Sequence, residues 1–130
     1  LSLCDYITPN ETETEALTGI SVSSVSDAQK ASDELHKMGV KTPIITLGEK
    51  GAFLHGYGLI DSFKIAPVVE TTGAGDAFNG AFAAALSEGQ APLEAVTFGC
   101  ATAGISVTRA GTAPSMPIRS EVEKILATRL

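Results

Sequence analysis

Between Ser26 and Leu47 the chain carries, in quick succession, the signals of a helix, a sharp stop and a buried strand. Ser26-Asp-Ala-Gln29 is a capping-box pattern, Ala31, Leu35 and Met38 follow on one helical face, and Gly39 terminates the run. After a short turn, Pro43-Ile-Ile-Thr-Leu47 is an apolar stretch with β-branched residues bounded by Gly48, the pattern of a buried strand. A strand that follows a helix this closely is the αβ step of a parallel sheet, which sets the expected fold class as α/β.

Similar punctuation continues along the chain. Ala52 to Leu54 and Leu59 to Ile65 fit the arms of a hairpin turning at His55-Gly-Tyr-Gly58. Beyond Val68-Val69 a glycine turn leads into an Ala-rich helical run that ends near Glu88-Gly89. Pro92 suits the first turn of a further helix from Leu93 to Val107. Gly111 to Pro117 reads as a loop, and Ser120 as the cap of a final amphipathic helix carrying Val122, Ile125 and Leu126. No internal repeat, low-complexity tract or linker divides the 130 residues, a length that suits one compact domain. His36 reads as a helix-surface residue and His55 as a turn residue, neither with a partnered constellation.

Composition narrows the function classes. Apolar residues make up 44% and charged ones 18%, which is globular material and not a disordered tail. A net charge of −6 argues against a broad nucleic-acid or anionic-membrane surface, yet leaves room for a phosphate pocket built from backbone amides. Cys4 and Cys100 lack metal-type spacing and read as reduced thiols of a cytosolic protein. Leu1 to Thr8 contains Asp5 and no basic segment, so no secretory signal is expected. The longest apolar stretch, Ala77 to Leu86, is broken by Asn79 and Gly80 and is too short to span a bilayer. These features predict a soluble, cytoplasmic protein. The opening Leu1-Ser-Leu-Cys-Asp-Tyr-Ile7 lacks an initiator Met and is strand-like from its first residue, as expected of a piece of a longer polypeptide.

The segment richest in chemistry is Glu70-Thr-Thr-Gly-Ala-Gly-Asp-Ala-Phe-Asn-Gly80. A strand, a glycine turn and a helix start direct several backbone N–H groups at one spot, reinforced by the positive end of the helix. Gly73 and Gly75 permit close backbone approach, so the turn suits an anion such as a transferring phosphoryl group. Asp76 would be repelled by phosphate there unless it accepts a proton from an attacking hydroxyl. By the residues alone, a tight αβ turn with Asp76 as a helix cap is an equal reading. No Lys follows as in a Walker motif, and the full dinucleotide fingerprint is absent.

Thr71 to Gly80 resembles, nearly residue for residue, the second signature of the ribokinase (PfkB-type) carbohydrate kinases. The resemblance implies that Gly73, Ala74 and Gly75 form the anion hole and that Asp76 deprotonates the sugar hydroxyl that attacks the γ-phosphate of ATP. Further segments resemble the family in chain order. Thr8-Pro-Asn-Glu-Thr-Glu13 is similar to its Asn-x-x-Glu element, which would put Asn10 and Glu13 near the phosphates and the Mg²⁺ shell. Thr46-Leu-Gly-Glu-Lys-Gly51 resembles the nucleotide loop, where Thr46 and Gly48 would approach ribose or phosphate; Gly51 would serve there or in a turn, and Lys50 reads as a solvated charge. Arg109-Ala-Gly-Thr-Ala-Pro-Ser115 resembles a loop that binds a monovalent cation, K⁺ in this reading. Gly111 and Ser115 of that segment, with Thr72 and Glu70, would build the cage; Glu70 stands where the family usually has Asp and is one methylene longer. Cys100 falls where the family places adenine contacts, although a buried structural thiol is the commoner role for such a residue.

The resemblance covers the family's C-terminal half and implies a ribokinase-like three-layer α/β/α sandwich, of which residues 1–130 would be the nucleotide-binding and catalytic portion. The N-terminal sugar-binding region and lid have no counterpart in these residues. The implied activity is ATP-dependent phosphorylation of a sugar, ribose leading, with the remainder of the kinase chain as partner and a homodimer as the complete assembly. The alternative is a nucleotide-binding module without turnover.

Overall fold

The computed structural model describes residues 5–63, 73–108 and 119–127. The chain divides into two compact units, Leu1–Asp61 and Ser62–Leu130. In the first, the order is β1 (Tyr6–Ile7), α1 (Glu11–Thr18), α2 (Val25–Lys37), β2 (Thr42–Thr46), a single 3₁₀ turn (Gly48–Lys50), β3 (Gly51–Leu54) and β4 (Gly58–Asp61). The four strands form one sheet in that same order. β1 pairs with β2 in parallel, Tyr6 opposite Thr42, so the expected parallel step is present. β2, β3 and β4 continue antiparallel, with Ile45 opposite Phe53 and Phe53 opposite Leu59. Those three side chains join Val22, Ala28, Ala31, Leu35 and Leu47 in one apolar cluster.

The buried stripe of α2 is Ala28, Ala31, Ser32 and Leu35, the i, i+3, i+4, i+7 pattern of an amphipathic helix. Met38 is not part of that face. It is the C-cap, more than a third exposed, and the chain leaves the helix through Gly39 at φ 108°. The N-terminus also differs from the sequence expectation. Ser24, extended at φ −147°, is the N-cap and accepts from the Asp27 N–H, so Ser26 lies inside the first turn. The Asp27 carboxylate in turn accepts from the Ser23 N–H at 3.1 Å and the Ser23 hydroxyl at 2.9 Å. The Ser23 N–H first, and then the Ser23 and Ser24 hydroxyls, hold the Asp27 carboxyl below its usual range.

The hairpin turns at 55–57, as its glycines suggest, but its second arm is shorter than expected: β4 ends at Asp61, while Ser62 and Phe63 are not in a strand. Lys64 and Ile65 lie outside the described residues.

The second unit contains α3 (Ala74–Ser87), α4 (Pro92–Ser106) and α5 (Arg119–Ala127). Pro92 occupies the first turn of α4, where its missing N–H costs nothing. α3 buries Ala77, Phe78, Ala81, Phe82 and Ala85. Its partner α4 presents Gly99, where a Cβ would come within 2.8 Å of the Phe78 ring, so glycine there lets the two helices approach. Val122 of α5 is buried and α5 packs on α4. Ser120 sits within α5 and is not its cap, because the helix is already formed at Arg119. The loop expected over 111–117 lies outside the described residues.

Candidate active site

α3 starts from Gly73 at φ 86°, a left-handed conformation that suits glycine and that a β-branched residue such as Thr would adopt only under strain. Gly73 offers no side chain to cap the helix, and the first intrahelical bond runs from the Ala77 N–H to the Gly73 carbonyl at 2.9 Å. The N–H groups of Ala74, Gly75 and Asp76 therefore have no acceptor within the helix. No Cβ screens Gly75, and one added there would meet nothing within 4 Å. Three free amides at the positive end of a fourteen-residue helix form a site for a negative charge.

Asp76 occupies the third position of α3, where a carboxylate often turns back to cap. It does not do so here: the side chain is exposed and has no hydrogen-bond or ion-pair partner among the described residues. Helical spacing sets it on the face shared with Asn79, Gly80 and Ala83, opposite the apolar stripe that meets α4. An unshared carboxylate beside unfilled amide donors can take a proton from a hydroxyl brought to the same place. Cys100 on α4 is 4% exposed, a buried thiol.

In the first unit, two segments singled out in the sequence come together at the carboxyl ends of β1 and β2. The Thr46 N–H donates to the Pro9 carbonyl at 2.9 Å, and the Thr46 hydroxyl reaches the same oxygen at 3.4 Å. That tie sets the N-terminus of α1 beside the start of the Thr46–Gly51 loop, where ligands of open parallel sheets are bound. Asn10 is the N-cap of α1 and Glu13 its third residue, and each side chain accepts the other's backbone N–H. Both are exposed. Glu13 uses one carboxylate oxygen in the cap, which leaves the second free to receive a water of a hydrated cation.

The loop is closed by its own backbone. The Leu47 N–H donates to the Gly51 carbonyl at 2.8 Å, with Gly48 at φ 59° and Gly51 at φ 114°. Gly51 thus has a turn role, which leaves Gly48, exposed and with open space around it, as the point of backbone approach. The Lys50 ammonium reaches the Ser23 carbonyl at 3.4 Å. Glu70, Thr72, Arg109, Gly111 and Ser115, the expected cation cage, lie outside the described residues. Among the described residues no group of three or more His, Cys, Asp or Glu is arranged to hold a metal ion directly.

Comparison with known proteins decides the family. The model of the pfkB family carbohydrate kinases matches residues 1–119. The chain belongs to the pfkB family of carbohydrate kinases. A ribokinase of Haemophilus influenzae is 46% identical over 129 residues, covering 97% of this chain and 42% of that protein. The structure of Arabidopsis thaliana ribokinase complexed with ribose and ATP matches with a TM-score of 0.87 at 40% identity, over 94% of this chain and 40% of that one. Phosphofructokinase-2 from Escherichia coli, in complex with potassium, matches with a TM-score of 0.82 at 28% identity, over 95% of this chain and 40% of that one. The ribokinase-like α/β fold read from the sequence is therefore borne out. The chain spans well under half the length of these pfkB relatives.

Sequence reasoning missed two features. The Pro9–Thr46 tie runs largely through backbone atoms, and no side-chain pattern announces it. His36 and His55, read as unpartnered, are stacked on each other.

Proposed function

We propose that the polypeptide carrying this chain is an ATP-dependent sugar kinase, with ribose as the leading acceptor, and that residues 1–130 supply its nucleotide-binding and catalytic portion. The observation that carries the reading is the start of α3: an exposed carboxylate, Asp76, beside three backbone N–H groups with no acceptor in the helix. The sugar hydroxyl gives its proton to Asp76 as its oxygen bonds to the γ-phosphorus. The bond to the β,γ-bridging oxygen breaks, and ADP leaves. Gly73, Ala74 and Gly75 form the anion hole that meets the charge on the transferring group.

Asn10 and Glu13 serve the phosphates and hydrated Mg²⁺, and Thr46, Gly48 and Gly51 approach the nucleotide. Cys100 lies near the adenine as a packing residue of α4. Glu70, Thr72, Arg109, Gly111 and Ser115 would hold K⁺, mostly through backbone carbonyls, and the bound ion would supply positive charge beside the anion hole. Relatives crystallised with ribose and ATP and with potassium support the choice of ligands. The same reading expects a cytoplasmic protein that binds neither nucleic acid nor membrane, supported by the net charge of −6. Such an enzyme would work as a homodimer.

The test is coupled ADP release by the full polypeptide across ribose, fructose, ketodeoxygluconate and nucleosides. Ribose-dependent ADP release is expected. ADP binding with no sugar-dependent release would replace this reading with a nucleotide-binding module.

A further inference from the structure

On the sheet unit, away from the residues assigned to the nucleotide, the β3–β4 turn is fastened to α2 by side chains. The His55 ring in the turn stacks on His36 of α2, ring centroids 4.6 Å apart and planes 24° from parallel. His55 Nδ1 is 2.6 Å from the hydroxyl of Ser32, which is fully buried one helical turn before His36. His36 Nδ1 must donate to the Val40 carbonyl at 3.0 Å, because a carbonyl can only accept; this leaves Nε2 to take the second proton. The backbone adds one further tie, from the His55 N–H to the Pro43 carbonyl of β2.

Among the described residues, the charged and titratable groups around His55 are few. From α2 come His36 and Asp33, the latter with a carboxylate oxygen 3.8 Å from His55 Nδ1. β2 (Thr42–Thr46) contributes none, and the turn itself adds only Tyr57. One imidazolium in this stack is balanced by Asp33; two would face each other ring to ring with the Asp33 carboxylate beside His55.

We propose that the His36–His55 stack is a pH-sensitive clasp: it holds the β3–β4 turn on α2 while the pair carries no more than one positive charge, and it releases the turn when both rings are charged. Burial, and then the neighbouring His36, hold His55 below its ordinary value of 6.5, with Asp33 opposing. The unfolded turn therefore binds more protons than the folded one. The clasp's stability is complete above the ordinary imidazole value and is lost as pH falls from there through the lower folded-state value.

The experiment is backbone hydrogen exchange of residues 51–61 in the full polypeptide, corrected for intrinsic rates, at about pH 7.5 and about pH 5. Protection of the turn should fall at least about threefold on acidification. In His36→Phe, which keeps a flat ring but takes no proton, the fall should be smaller, because burial still disfavours a charged His55 while the charge facing it is gone. Should that variant not fold, the ring titrations of the unsubstituted protein decide. The His55 ring should titrate below the ordinary imidazole value. Turn protection that ignores pH, the same fall in His36→Phe, or a His55 titration at the ordinary value would each overturn the proposal.

Discussion

Asn10 and Glu13 close a reciprocal pair of hydrogen bonds. The Asn10 side-chain oxygen accepts from the Glu13 N–H at 2.8 Å, and the Glu13 carboxylate accepts from the Asn10 N–H at 2.9 Å. The pair that resembles a phosphate- and Mg²⁺-directed element is thus also a helix cap, and the two roles separate by substitution. Asn10→Ala should lower stability by about 1 kcal/mol, read in thermal melts. Asn10→Ser keeps a capping oxygen and should melt like the unsubstituted protein. Its KM for ATP should rise about tenfold if a charge-assisted bond of ~1.5 kcal/mol to phosphate is lost. An unchanged KM would leave Asn10 a cap and nothing more.

Gly104 on α4 lies against the backbone at Phe63. A Cβ there would overlap the Phe63 carbonyl oxygen and sit 3.1 Å from the Phe63 Cβ. Backbone cannot swing aside as a side-chain tip can, so Gly104→Ala should destabilise by about 1–3 kcal/mol in urea unfolding. Gly80, on the exposed face of α3, is the control. An added methyl meets nothing within 4 Å there, and Gly80→Ala should be neutral or stabilising by up to about 1 kcal/mol.

Turnover should be faster in K⁺ than in a buffer whose monovalent cation is large and organic, because a cation held between Thr72 and Gly111 would order the anion-hole turn. Equal rates in the two buffers would remove the cation from the mechanism, and Glu70, longer than the usual Asp, would be the first residue to examine.

Residues 1–130 by themselves should bind nucleotide weakly at best and fail to phosphorylate a sugar efficiently, since phosphoryl transfer rests on positioning the acceptor and excluding water. Measuring ADP production with and without the remaining portion of the kinase tests this. Efficient ribose-dependent turnover by the 130 residues alone would mean that the acceptor binds within them.

The elements were legible where local chemistry decides them. Gly39 stops α2, Pro92 opens α4, and the apolar run from Pro43 marks β2, because each acts within a few residues of itself. The start of α2 was misread because two overlapping serine patterns compete. The Gln29 partner suggested Ser26, whereas Asp27 serves both Ser23 and Ser24 and moves the cap two residues earlier. Met38 fitted the helical period but falls at the cap, where the chain has already left the buried face. The His36–His55 stack could not be read at all. The turn must first fold back over α2, and neither histidine's neighbours in sequence signal that the rings will meet. For the candidate site, the residues alone left the Gly73 turn and Asp76 evenly balanced between a helix cap and a catalytic turn, and the resemblance over Thr71 to Gly80 decided the reading. The Pro9–Thr46 tie that gathers the nucleotide segments was not legible, since it depends on the parallel register of β1 and β2.

The most direct test of the central claim is the turnover of Asp76→Asn in the full polypeptide, measured with ribose and ATP beside nucleotide binding. The substitution keeps the shape and removes the proton acceptor. Sugar-dependent ADP release should fall about 100- to 10,000-fold, with nucleotide affinity retained. Activity within a few-fold of the unsubstituted enzyme would contradict the assignment of Asp76 as the base.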